Sequence, residues 1–213
     1  MKFLIALLRS PQAAVDACGD VEQQRRIAVT SLWVIALGGV LFGAAVGSFR
    51  GFPQFGITAL KLPIVTLLTL AAAGPAFYGI ASAVDRQLSF RATLALVLCA
   101  GARSSLVLIA VAPLLALAVD LGAAYPLVRL AAVFSYGLAG LSALAFILRA
   151  LGPGQGRLLG TFSFVMTFLV IGAQTAWLCR PYLGDPRDET VPLFAHGRVE
   201  GGLFGALADG GER

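Results

Sequence analysis

Residues 92–119 read ATLALVLCAGARSSLVLIAVAPLLALAV, 28 positions with a single charge, Arg103. About 20 apolar residues carry a helix across the hydrocarbon core of a bilayer, so this run is long enough to cross and to tilt or break on the way. Working outward, four more runs of spanning length appear at 27–49, 62–84, 126–148 and 158–178. Each is bounded by Arg, Lys or Asp, by a Gly/Pro turn, or by both. The connections at 50–61, 85–91, 120–125 and 149–157 are short, and the last contains Gly152-Pro153-Gly154, a strong helix break. Short connections force neighbouring helices to run antiparallel. The fold expected is all-α: a polytopic transmembrane bundle of five spans, preceded by a short N-terminal surface helix.

Composition points the same way. Of 213 residues, 58% are hydrophobic and 13% charged, the latter about half the usual share for a soluble domain. A water-soluble chain of this length must turn much of its surface to solvent and could not hide so much apolar area. The net charge of +5 does not indicate nucleic acid, because the basic residues stand singly at the ends of apolar runs. Cys18, Cys99 and Cys179 form no CxxC pair and no even-numbered framework, and His196 is the one histidine, so neither a disulfide scaffold nor a zinc site is expected, and no cofactor.

The two ends differ from the middle. Residues 3–8 are too short for a cleavable signal core and stop at Arg9. Ser10-Pro11 reads as a helix start, Ser at the cap and Pro at the first helical position, which predicts a surface helix over 11–18. Residues 1–26 then form a cytoplasmic segment, 27–179 the bundle and 180–213 a tail. The first half of that tail is expected to fold onto the membrane surface and the last ten or so residues to be mobile. Trp33 and Trp177 stand near span ends, where aromatic belts form.

Lys and Arg counts set the orientation. With the N-terminus inside, Lys2, Arg9, Arg25, Arg26, Arg86, Arg91, Arg149 and Arg157 face the cytoplasm, eight in all, against Arg50, Lys61 and Arg129 outside. The tail adds Arg180, Arg187, Arg198 and Arg213 to the outer side.

Three groups of residues stand out as candidate sites. Gly39, Gly43 and Gly47 repeat every four positions and so line one face of the first span. Such a face admits another backbone at close range, either a partner's or one from within the bundle. Arg103 lies near the middle of its run, and a charge there costs roughly 2.5–3.5 kcal/mol on insertion scales. No Asp or Glu lies within any span to balance it. Carbonyls at a broken helix, Ser104, Ser105, Gln174, water, a bound anion or a lipid headgroup could do so, or the side chain could snorkel to an interface. Gly74-Pro75 and Pro113 could kink helices around a cavity. The same lack of embedded carboxylates argues against a proton- or sodium-coupled transporter. No nucleophile elbow, zincin helix, phosphate loop or dinucleotide fingerprint is present.

The third group is Gln174-Thr-Ala-Trp177-Leu-Cys-Arg180-Pro181-Tyr182-Leu-Gly184-Asp-Pro186. Trp177 would sit at headgroup level with Arg180 beside it, Pro181 would stop the helix, and Gly184 with Pro186 would set a turn. The stretch resembles a bacterial family of multi-pass membrane proteins whose last span ends in Gln-x-x-Trp-x-x-Arg-Pro-aromatic-x-Gly-x-Pro. Lys61-Leu-Pro63 and Glu200-Gly201 look similar as well, and Tyr182 stands where Phe is usual. Arg9-Ser-Pro11 ahead of five spans is similar to the Yip-type membrane proteins. The first family brings no activity with it; the second implies a scaffold or trafficking role without catalysis.

The function expected is a non-catalytic membrane scaffold or complex subunit. Its partners would be membrane lipids and another protein or a second copy, met through transmembrane helices. The alternative is a small channel or transporter with an anion or lipid-headgroup site at Arg103.

Overall fold

The computed structural model describes residues 2–51, 54–83, 89–152 and 157–178. Among these residues the chain is helical throughout, with short breaks. In order, the helices are α1 (Lys2–Arg9), α2 (Pro11–Gly19), α3 (Val21–Gly47), α4 (Gln54–Ala83), α5 (Phe90–Asp120), α6 (Tyr125–Leu151) and α7 (Arg157–Leu178), with a 3-10 turn at Ser48–Arg50. The five from α3 to α7 are long and apolar enough to cross a membrane. The protein is therefore a multi-pass membrane protein built as a helical bundle, and each expected span lies on one of these helices.

Helix ends follow local chemistry. Asp20 caps α3 by accepting the Glu22 amide at 3.0 Å, and Ser89 caps α5 by accepting the Ala92 amide at 3.2 Å. The C-terminus of α5 closes in a Schellman motif: Gly122 takes φ +80°, its amide reaches the Val119 carbonyl, and Ala123 reaches Ala118.

α5 is the hub. Residues 95–102 are all buried, eight in succession. With 3.6 residues per turn, that requires neighbours on every side. α3 lies against it at Gly38–Ser105, while Leu70 of α4 and Ile35 of α3 both meet Gly101. α6 covers another side, and α7 packs on the outside, mainly on α4. Phe77 and Phe164 join α4 to α7 with ring centroids 4.5 Å apart.

The N-terminus departs from expectation in two ways. It forms two helices, not one, and neither lies free on the surface. Pro11 cannot donate to α1 and pushes Ser10 out of the helical region, to φ −134°. The chain therefore breaks at Ser10 and restarts, although the Ser10 hydroxyl makes no cap bond. The resulting hairpin docks into the bundle: Leu7, Ala14 and Cys18 are fully or almost fully buried in the cluster that holds Val97, Phe146 and Ile147. α3 also starts earlier than 27, so its first turns stand beside the hairpin, and Gln24 donates to the Cys18 carbonyl at 3.0 Å.

A second departure concerns 50–61, expected to be a connection. The helix already runs from Gln54, carrying Lys61 and Pro63 inside it. The reason is burial: Gln54, Thr58 and Lys61 are buried at i, i+4 and i+7 on one face of α4.

Candidate functional site

The polar centre of the bundle is Arg103. Its Nε donates to Ser142 Oγ on α6 at 2.9 Å, and its Nη1 donates to the Leu7 carbonyl on α1 at 3.1 Å. Leu7 lies in the last turn of α1, where carbonyls have no partner within the helix and carry its negative dipole end. The guanidinium therefore acts as a cap supplied from another helix. Its charge is balanced by a helix terminus and a hydroxyl, not by an acid.

Of the residues the sequence grouped here, Arg103 makes its two hydrogen bonds to Ser142 and Leu7, while Ser104 stands next to it on α5 and Gln174 on α7. Gln174 rides on α7, whose Gly172 faces Thr69 of α4. Ser105 faces Gly38 on α3. α5 is unbroken at Arg103, and the carbonyl comes instead from a short helix 96 residues away in sequence.

The glycine stripe meets α4. A Cβ on Gly39 would lie 2.7 Å from Pro63 Cα, one on Gly43 2.5 Å from the Thr58 carbonyl oxygen, and one on Gly47 2.8 Å from the Gln54 carbonyl oxygen. The three glycines bring two backbones together inside the bundle, and the face is occupied. Opposite them, Gln54 Nε2 donates to Thr58 Oγ1 at 3.1 Å. Lys61, one turn further on, is 6% exposed. Sequence reading missed this buried polar stripe by placing Lys61 in a loop. The helical spacing of Gln54, Thr58 and Lys61 was the available signal.

A further pair was also missed. Cys18 on α2 and Cys99 on α5 are both buried, with their sulfurs 3.4 Å apart. The buried Ser31 hydroxyl on α3 lies within reach of the Cys99 sulfur. With the two 81 positions apart in the chain, no spacing motif could announce the pair. Among the described residues, no three His, Cys, Asp or Glu side chains gather as a metal site would need.

Of the tail signature, the backbone of Trp177 falls at the end of α7. Its side chain and Arg180, Pro181, Tyr182, Gly184 and Pro186 lie outside the described residues. A comparison with known proteins found no matching family model, no matching curated protein and no matching solved structure.

Proposed function

We propose that this protein is a non-catalytic membrane scaffold or a subunit of a membrane protein complex. The resemblance at the tail suggests a bacterial inner membrane, and the eight Lys and Arg residues on the inner segments favour a cytoplasmic N-terminus. The observation that carries the reading is the use made of Arg103. Its hydrogen bonds close the bundle around the N-terminal hairpin.

The partner cannot use the glycine face of α3, which α4 fills. The outward side of α6 is the better candidate. Leu127, Leu130, Phe134, Leu138 and Leu141 are exposed there at helical spacing, and Gly137 and Gly140 have open space beside them. Small residues between larger ones let a second helix approach closely in lipid. Gentle detergent extraction followed by mass spectrometry should find a partner or a second copy. Gly140→Ile should abolish that association while leaving the thermal unfolding of the chain unchanged. A lone monomer in both forms overturns the reading.

One observation supports the channel or transporter alternative: Arg103 is only half-buried, so part of its guanidinium stays open to an anion or headgroup beside its two hydrogen bonds. Arg103→Leu should then change anion flux in proteoliposomes, and unchanged leakage removes the idea.

A further inference from the structure

Cys18 belongs to a short terminal helix, and Cys99 to the hub helix of the bundle. Their sulfurs are already in contact at 3.4 Å, and both residues are buried. The rest of the joint is non-covalent: apolar packing of Leu7, Ala14 and Cys18, the Gln24 bond to the Cys18 carbonyl, and the Arg103 bond to Leu7. A covalent bond between these two sulfurs would thus fasten the N-terminal hairpin to α5 at the level where it docks.

We propose that Cys18 and Cys99 are an oxidisable dithiol, which a small neutral peroxide converts into an intramolecular disulfide that locks α2, and α1 with it, onto α5. In the first step the Cys18 sulfur attacks one peroxide oxygen and the O–O bond breaks. Water leaves with the thiol proton, and Cys18 becomes a sulfenic acid. In the second, the Cys99 sulfur attacks the Cys18 sulfur, the S–O bond breaks, and a second water carries off the Cys99 proton. The two thiols lose two electrons and hydrogen peroxide gains them. The Ser31 hydroxyl beside Cys99 offers a hydrogen bond to sulfur as charge develops there.

The pocket favours this product over a metal. A soft cation held by two thiolates would leave a net negative charge among apolar side chains, and no third ligand group joins the pair among the described residues. The disulfide is neutral, as the dithiol is. Both sulfurs are buried, so only a small uncharged oxidant can be expected to reach them through the docked joint.

The inference stands apart from the scaffold reading and is tested on the full chain. A Cys179→Ser variant in lipid nanodiscs is treated with hydrogen peroxide at a level that oxidises free glutathione in the same sample. It is then denatured and labelled with a maleimide-polyethylene glycol. Untreated protein should take two labels and treated protein none. Mass spectrometry should find one peptide linking Cys18 to Cys99 within a chain, and dithiothreitol should restore both labels. Adding Cys18→Ser should leave Cys99 fully labelled after the same treatment. Retention of both labels overturns the proposal. So does their loss without the linked peptide, or a link between two chains.

Discussion

The cost of changing a single position in this bundle depends on what its side chain would touch. At Gly43 an added Cβ would meet the Thr58 carbonyl oxygen at 2.5 Å, an atom of a helix backbone that cannot move aside alone. At Gly137 nothing lies within 4 Å. Overpacking typically costs about 1–3 kcal/mol, and more where the neighbour is rigid. Gly43→Leu should therefore lower the unfolding temperature sharply or abolish monodisperse extraction, whereas Gly137→Leu should leave the unfolding temperature of the single chain unchanged. Calorimetry or fluorescence-detected size exclusion distinguishes them. Arg103 is the other decisive residue. Replacing it with Leu leaves the Leu7 carbonyl without a partner, at about 1–3 kcal/mol. Hydrogen exchange in residues 3–9 should then speed up at least tenfold, with little change in α3 or α4. Ser142→Ala should give a smaller effect of about 1 kcal/mol, because the bond to Leu7 survives.

At the scale of the helix, hydropathy carried the prediction of α3 to α7, because each must hide its backbone polar groups from lipid within one apolar rod. That requirement writes itself into the sequence as length. The α1–α2 hairpin obeys no such rule. Residues 3–8 are apolar but too short to span, and the surface that receives the hairpin comes from α3, α5 and α6, most of it far away in sequence. Its docking was thus invisible, as was the Cys18–Cys99 contact that depends on it. Lys61 was misplaced for a related reason: a charge is read as a helix boundary unless its burial is known. The hairpin's dependence on packing yields a prediction of its own. Leu7→Ala empties a fully buried site, and such truncations cost about 2–5 kcal/mol. Limited proteolysis should then cut within residues 3–19 first, leaving a resistant fragment that contains the five long helices. If the N-terminal segment stays as resistant as in the parent chain, the packing does not hold it.

Across the whole molecule, burial falls steeply from the hub to the rim. In the most apolar window of α5, 56% of residues are buried, against 11% in that of α7. α7 is held chiefly by α4, and Phe164, its most buried aromatic side chain among the described residues, is 8% exposed where its ring meets that of Phe77. Spanning helices are each stable in lipid before they associate, and association then rests on packing and interhelical bonds. α7 should therefore behave as a separable element. Expressed as two pieces, residues 1–152 and 157–213, the protein should reassemble in the membrane and co-purify through a tag on either piece. Phe77→Ala removes the ring that Phe164 packs against, a loss of about 3–5 kcal/mol for a buried phenylalanine. Most of the hold on α7 goes with it, so the pieces should no longer co-purify, while residues 1–152 remain extractable and folded around α5. Equal co-purification with and without Phe77 would mean that α7 is retained through α6 or the tail.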